Sequence, residues 1–197
     1  MSVSRRFAAL ERRLHHLRLH FLPKQISPVA RYTPRQYDLA RAFVVLAHAE
    51  FEAYIEDRST EIVQRAANHW RTKGRYSHVL RRVCAFRDAS HDEPWLPFNK
   101  DPRNIDGAFK SYEGLVKKNH GIREINLLKL VFPIGIKYED IEAALMSDLD
   151  IFGSSRGEYA HSSIKTQQPI DVSGHFTRVS SLLQRLRRLD RQFNALR

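Results

Sequence analysis

Apolar residues recur every three or four positions along most of the chain, which is the spacing of an α-helix. The pattern is clearest at residues 3–21, where an apolar stripe lies opposite an arginine-rich side. The stripe consists of Phe7, Leu10, Leu14, Leu17 and Phe21. It predicts an amphipathic helix that docks on the rest of the chain, on a second copy or on a separate partner. Pro23 and Pro28 follow it, so we expect an N-terminal helix and linker over residues 1–30 and a helical domain over residues 31–197.

A long helix is predicted next, from Thr33 and Pro34 to about Trp70. Threonine caps a helix through its hydroxyl group, and proline fits the first helical position. Apolar residues cover one face of this segment, and a second apolar face consists of Leu39, Phe43 and Leu46. We therefore expect the first half of this helix to be buried on most sides.

The remaining sequence also predicts helices, separated by turns and prolines. They are expected at residues 76–87, at 104–121 with Asn104 or Asp106 as the cap, at 122–132 before Pro133, and at 172–196. Residues 138–164 form either one helix or two, because Gly153 and the serines after it are a candidate break. Residues 88–103 predict an irregular segment and residues 165–170 a loop. No useful stretch alternates with the two-residue period of a strand, so the predicted fold class is all-α.

The composition is that of a globular chain with a strong positive charge. Hydrophobic residues make up 42%, the net charge is +11, and most of the basic residues are arginine. This charge favours an anionic partner, which is a nucleic acid, a nucleotide, an acidic protein or a membrane surface. No apolar run reaches the length of about 18 residues that a membrane-spanning helix needs. Cys84 is the only cysteine, which excludes a disulfide or cysteine-based zinc site within the chain and fits a cytoplasmic protein.

Arginine and histidine presented together can cleave RNA without a metal, because histidine moves protons and arginine stabilises charge on phosphate. Four such pairs occur at spacings of five to seven residues: Arg13/His20, Arg41/His48, Arg71/His78 and Arg156/His161. A composition this rich in arginine produces about as many by chance, so only their context separates them. His48 lies between Val44 and Phe51, which favours a partly buried core histidine over a site residue.

Arg156 and His161 differ from the other pairs because small residues surround them, namely Gly153, Ser154, Ser155, Gly157, Ala160, Ser162 and Ser163. Small residues let a substrate or a second chain approach closely. On an ideal helix a spacing of five residues rotates the two side chains by about 140°, so they do not stack. Two copies related by a two-fold axis would bring both pairs to one cleft.

The segment SRGEYAHSS at residues 155–163 resembles the R-x4-6-H motif of HEPN domains. The segment AFVVLAHAEFEAYIE at residues 42–56 resembles the first long helix of the RiboL-PSP-HEPN branch. The resemblance covers residues 33–196 and implies a helical bundle that forms a face-to-face homodimer. It also implies a metal-independent endoribonuclease, often a toxin or an effector of phage defence, with Arg156 and His161 as the catalytic pair. RNA is then the expected substrate, no cofactor or metal is expected, and an antitoxin or other regulatory protein is a possible partner.

The chain departs from the HEPN pattern at Gly157, where many members have a polar residue, commonly Asn. Glu158, Ser162 and His48 are the candidate supporting residues. Because inactive HEPN domains also exist, a non-catalytic module that binds RNA, a nucleotide or a protein is the alternative function. An adaptor that holds a partner through the stripe of residues 3–21 is a third.

Overall fold

The computed structural model describes residues 3–89, 102–161 and 170–196, apart from the side chains at 88, 89, 102–104, 158, 160 and 161. In these ranges the chain is helical and contains no strand. The helices are α1 (Arg5–Phe21), α2 (Pro34–Lys73), α3 (His78–Ala89), α4 (Pro102–Lys117), α5 (Glu124–Val131), α6 (Ala143–His161) and α7 (Val172–Ala195), with a 3-10 helix at Tyr138–Asp140. The predicted all-α class is confirmed.

The chain divides into two compact units. The first comprises Met1–Tyr54, Gly121–Glu124 and Glu142–Arg191, and the second comprises Ile55–His120, Ile125–Ile141 and Gln192–Arg197. The first unit therefore contains α1, the first half of α2, α6 and most of α7. The domain boundary predicted between residues 30 and 31 stays a prediction.

Helix α1 is fastened to its own unit at its first turn. The hydroxyl of Ser4 accepts the Phe7 N–H at 3.0 Å and caps the helix. The backbone N–H and hydroxyl of Ser4 donate to the buried Asp190 carboxylate at 2.7 and 2.6 Å, and the Tyr54 hydroxyl donates to it at 2.9 Å. Phe7, Leu10, Leu14 and Leu17 are buried. Three partners were predicted for the apolar stripe of α1, and in this structure the stripe docks on its own chain.

Helix α2 begins at the predicted cap. The Gln36 side chain accepts the Thr33 N–H at 2.8 Å, and the Thr33 hydroxyl accepts the Gln36 N–H at 3.3 Å, which is the reciprocal pattern of a capping box. Its apolar positions in the first unit are largely buried, including Ala40, Phe43, Val44, Ala47, Phe51 and Tyr54.

Helices α6 and α7 are joined by apolar packing and charged hydrogen bonds. Phe152 is fully buried among aromatic neighbours. Asp148 on α6 accepts from Arg185 at 2.9 Å and from the Ser181 hydroxyl at 3.2 Å, both on α7. Glu142, next to α6, accepts from Arg188 at 2.7 Å and also from Arg185. These contacts fix the segment of α6 that leads to Arg156.

In the second unit, Arg71 of α2 donates to Asp106 of α4 at 2.8 Å, and α4 packs against α3. The Tyr112 hydroxyl of α4 donates to the Leu130 carbonyl of α5 at 2.8 Å, and burial raises the pKa of this phenol well above its usual 10.0. Arg58 donates to Asn194 at 2.7 Å and lies over the Phe193 ring.

The predicted start of α4 was wrong, and the open alternative of a break at Gly153 is decided. Helix α4 begins at Pro102, not at a cap on Asn104 or Asp106, because proline needs no N–H partner in a first helical turn. Helix α6 passes through Gly153 without a break. The hydroxyls of Ser154 and Ser155 donate to the carbonyls four residues earlier, at 2.8 and 3.0 Å, so these serines stay within the helix. Of the segment predicted as irregular at 88–103, both ends are helical, because α3 continues to Ala89 and α4 begins at Pro102, and residues 90–101 lie outside the described residues. Of the loop predicted at 165–170, residues 165–169 lie outside them as well.

Candidate functional site

Helix α6 presents Phe152, Arg156 and Tyr159 on one face, because spacings of four and three residues keep side chains aligned on a helix. Phe152 packs edge-on against Phe51 of α2, with ring centroids 5.9 Å apart, and stacks on His48 at 6.1 Å. This contact holds the helix face against α2. Arg156 lies one turn farther along that face.

Arg156 differs from most arginines of the first unit in having no hydrogen bond or ion pair with any described residue. Arg13, Arg185, Arg187 and Arg188 each bind a carboxylate. The side chain of Arg156 is half-buried. A guanidinium that is partly withdrawn from water and has no carboxylate partner favours the binding of an external anion.

His48 of α2 is close enough to this guanidinium for the charge of Arg156 to act on it. It is 3% exposed. Burial lowers the pKa of His48 from its usual 6.5, the Glu52 carboxylate raises it, and the positive charge of Arg156 lowers it further. Nδ1 of His48 lies 3.6 Å from Oε2 of Glu52, one helical turn away. The structure therefore brings together Arg156 and His48, which are 108 residues apart in the sequence.

Glu52 also connects α2 to the short segment Gly121–Glu124. Its Oε1 accepts the N–H of Gly121. Gly121 has φ of 124°, a conformation that glycine adopts without strain. The same segment is tied to α6, because the Glu124 N–H donates to Asp150 at 2.8 Å and Arg123 donates to the Ser154 hydroxyl at 2.9 Å.

Tyr159 contacts a third helix. Its hydroxyl lies 2.8 Å from Nε2 of His175, in the first turn of α7, and the two rings meet edge to face at 5.4 Å. Asp171 caps this turn, since its carboxylate accepts the Gly174 N–H at 2.9 Å. Burial and the nearby Arg178 lower the pKa of His175 from its usual 6.5, while Asp171 raises it. Nδ1 of His175 is buried and has no hydrogen-bond partner among the described residues.

The predicted site residues are only partly placed by this geometry. Arg156 and His48 both lie in the described part, and the charge of Arg156 lowers the pKa of His48. The backbone of α6 includes positions 158 and 161, but the side chains of Glu158 and His161 lie outside the described part, and so does Ser162. Their roles stay predictions.

Sequence reasoning missed three residues of this cluster. Glu52 was detectable, because it follows His48 by one helical turn. Tyr159 was detectable as the residue one turn after Arg156. His175 carried no local signal, because its contact with Tyr159 depends on how α7 packs against α6.

The candidate site thus consists of the Arg156 guanidinium, the buried His48 whose pKa it lowers, and the Tyr159 phenol on the same helix face, which contacts His175. Such a group can hold a phosphate and accept or pass a proton near it. In the described ranges, no three histidine, cysteine, aspartate or glutamate side chains form a possible metal site. None of the described helices has the length and apolar character needed to cross a membrane.

The model of the family RiboL-PSP-HEPN matches residues 9–194 of the chain. The chain belongs to the RiboL-PSP-HEPN family. The resemblance predicted from the two sequence segments is thereby confirmed, and the match includes part of α1 as well as the Arg156 motif. Searches of curated proteins and of solved structures gave no match.

Membership indicates the broad function of this HEPN chain. HEPN domains are nucleases or RNA-binding modules, and the strong positive charge agrees with an RNA partner. The face of α6 that carries Arg156 is therefore the candidate nucleic-acid site.

Proposed function

We propose that this HEPN protein is a metal-independent endoribonuclease of the toxin or defence-effector type, with its active site at a homodimer interface. The observation that supports this most is the half-buried Arg156, which has no carboxylate partner among the described residues and whose charge helps to lower the pKa of the buried His48. The position of Arg156 within the family motif adds to it.

In the proposed reaction His161 is the general base and Arg156 stabilises charge. His161 removes the proton of a ribose 2′-hydroxyl, and that oxygen forms a bond to the adjacent phosphorus. Arg156 binds the non-bridging oxygens, where negative charge grows. The bond from phosphorus to the 5′-oxygen then breaks, and a protonated group, such as His161 of the second protomer, donates a proton to that oxygen. The products are a 2′,3′-cyclic phosphate and a 5′-hydroxyl.

His48 acts in support of Arg156 under this proposal. A neutral imidazole does not compete with the phosphate for the guanidinium, and Oε2 of Glu52 lies 3.6 Å from Nδ1 of this ring. Glu158 and Ser162 are further supporting candidates from their position in the motif. An antitoxin or other regulatory protein is the proposed protein partner, as for other effectors of this type.

The test is incubation of purified protein with total RNA and a tRNA pool in EDTA. We expect discrete fragments with 2′,3′-cyclic phosphate ends from the wild type and almost none from His161→Ala. Loss of a general base lowers the rate by about 10²–10⁴-fold. An all-DNA strand of the same sequence is the substrate control, because it lacks the 2′-hydroxyl. Fragments from the His161→Ala protein at the wild-type rate would refute the assignment.

A non-catalytic RNA-binding module is the second candidate, and Gly157 favours it because the motif lacks a polar side chain there. This function predicts intact RNA with both proteins and a gel shift that weakens with salt. It also predicts that affinity falls when several arginines are replaced and stays unchanged in His161→Ala.

A further inference from the structure

A cavity of about 640 Å³ lies in the second unit, between the second half of α2, the turn that leads into α3 and the C-terminal end of α7. All of the residues that line it belong to this one unit. Its volume is in the range of about 300–1,000 Å³ that is usual for small-molecule sites. Arg156 and the residues around it do not line this cavity, so it is a separate candidate site.

Part of the cavity wall is apolar and is built from the core of the unit. Ile62 and Ala66 of α2 and Val79 of α3 line the cavity, and all three are buried. Ser77 fixes the start of α3, because its hydroxyl accepts the Leu80 N–H at 3.2 Å. The helices therefore hold this wall in place before any ligand arrives, and it suits the apolar part of a ligand.

Tyr76 adds an aromatic group to the wall. It lines the cavity and is half-buried. Its ring packs edge-on against Trp70 of α2 with the centroids 5.9 Å apart, and the Arg81 guanidinium lies 5.8 Å from its centroid. These contacts fix the orientation of the ring. A flat aromatic ligand gains more from such a neighbour than a flexible aliphatic ligand does.

The remaining wall is basic and exposed to solvent, because Arg65, His69 and Arg75 also line the cavity. His69 and Arg75 have no hydrogen bond or ion pair with a described residue, and Arg65 donates to the Leu196 carbonyl at 3.1 Å. No aspartate or glutamate is among the described residues that line the cavity. Since guanidinium groups bind phosphate oxygens through paired N–H donors, this side of the cavity suits a phosphate group.

We propose that this cavity binds a small aromatic phosphate monoester, with its ring against Ala66 and Tyr76 and its phosphate held by Arg65 and Arg75. A neutral aromatic molecule leaves the guanidinium groups unused, and inorganic phosphate leaves the apolar wall in contact with water. The proposal does not depend on the nuclease reaction, because the cavity belongs to the other unit and shares no residue with the Arg156 site. The 5′-terminal nucleotide of an RNA has the same chemistry as a free aromatic phosphate, so the test separates these two sources.

Isothermal titration calorimetry of the full chain with 1-naphthyl phosphate tests the site, beside its two halves, 1-naphthol and inorganic phosphate. We expect 1-naphthyl phosphate to bind with a Kd of about 1 mM or tighter. Each half should bind at least about tenfold more weakly, because it uses only one side of the cavity. Hexyl phosphate has the same charge without a ring and should bind more weakly too. A Kd of hexyl phosphate equal to that of 1-naphthyl phosphate would overturn the aromatic class.

Two variants of the lining locate the binding. Arg75→Gln removes a charged donor and should weaken 1-naphthyl phosphate binding about tenfold. Ala66→Leu fills part of the cavity and should weaken it by at least as much. Arg12→Gln removes one exposed charge from α1, and Arg156→Gln removes the cation of the candidate nuclease site, so both controls should bind like the wild type. If Ala66→Leu does not fold, Arg75→Gln and the two controls still decide.

Competition with a short 2′-O-methyl RNA separates the two sources of the ligand. If the end of an RNA occupies the cavity, the oligomer with a 5′-phosphate displaces 1-naphthyl phosphate and the same oligomer with a 5′-hydroxyl does not. If the ligand is a free small molecule, neither oligomer displaces it. Equal displacement by both oligomers would overturn the phosphate monoester as the recognised group.

The proposal is overturned if 1-naphthyl phosphate shows no saturable binding up to about 10 mM, or if Arg75→Gln binds it with the wild-type Kd. Neither result alters the RNA cleavage assay with His161→Ala. Failure of this site and failure of the proposed nuclease function are therefore distinguishable.

Discussion

At the scale of single residues, the candidate site is defined by Arg156, which has no carboxylate partner among the described residues. Several other arginines of the first unit are paired with carboxylates, such as Arg185 with Glu142 and Asp148. Arg156 instead has imidazole and phenol groups on its side of α6. A half-buried guanidinium without a carboxylate partner is electrostatically unfavourable in the isolated chain, and a bound phosphate makes it favourable.

Replacement of Arg156 by Gln should abolish most of the activity without loss of stability. The side chain has no hydrogen bond or ion pair with a described residue, so the free energy of unfolding should change by less than about 0.5 kcal/mol. Cleavage should fall about 10²-fold or more, since charge on the phosphate loses its principal stabilising group. Urea denaturation and RNA cleavage measure the two effects. Arg191→Gln, an exposed arginine on α7, is the control and should match the wild type in both.

The two buried imidazoles should make stability depend on pH. Folding lowers the pKa of His48 and of His175 below 6.5. Below pH 6.5 the unfolded chain therefore binds more protons at these positions, and the free energy of unfolding falls as the pH decreases. Each histidine contributes a slope of at most about 1.4 kcal/mol per pH unit.

Urea denaturation at pH 7.5, 6.5 and 5.5 measures this slope. His48→Gln and His175→Gln should each have a shallower decrease of stability between pH 6.5 and 5.5 than the wild type. Identical slopes in wild type and both variants would show that these histidines are not kept neutral in the folded chain.

At the scale of helices, the sequence predicts what depends on periodicity and misses what depends on tertiary contact. The stripes of α1 and α7 and the cap of α2 identify these helices, because burial and capping follow from local spacing. The sequence left a break at Gly153 open, and α6 has none there, since the serines bond back to α6 and the side chain of Arg123 lies 3.0 Å from where a Cβ of Gly153 would be. Arg156 was found from its motif, whereas His175 required the packing of α7.

Gly157→Ala should stabilise α6. Glycine in a helix interior is less favourable than alanine by about 0.8–1 kcal/mol, and the new methyl group meets no protein atom within 4 Å. Thermal or urea denaturation should therefore show a gain of that size. Gly174→Ala provides the contrast, because its Cβ would lie 2.2 Å from the Asp171 carboxylate that caps α7. That variant should lose stability, and a loss in Gly157→Ala too would contradict the open space at residue 157.

The contacts of Asp190 make α1 part of its unit. This carboxylate is fully buried and accepts hydrogen bonds from Ser4 and Tyr54, so it joins α7 to the start of α1 and to α2. Asp190→Ala leaves buried donors without partners and should lower the free energy of unfolding by about 3 kcal/mol. Asp38→Ala removes an exposed ion pair with Arg41 and should change it by less than about 1 kcal/mol. Equal effects in chemical denaturation would show that the Asp190 contacts do not hold α1.

At the scale of the whole molecule, the docked α1 exposes its arginine-rich side to solvent. Its apolar stripe is buried, while Arg5 and Arg12 are exposed on its other side. With a net charge of +11, the protein should attract RNA along its surface before the phosphate reaches Arg156. This long-range attraction is independent of sequence and weakens with salt.

The proposed dimer site makes activity depend on protein concentration. If two protomers must meet to build the cleft, the cleavage rate per chain should fall when the protein is diluted below the Kd of the dimer, by mass action. Initial rates over a thousand-fold dilution series, with RNA in excess, measure this. Analytical ultracentrifugation over the same range should place the fall in rate where dimers dissociate. A constant rate per chain at concentrations where only monomers sediment would show that one protomer carries the complete site. In that case Arg156 would have to act with His161 of the same chain.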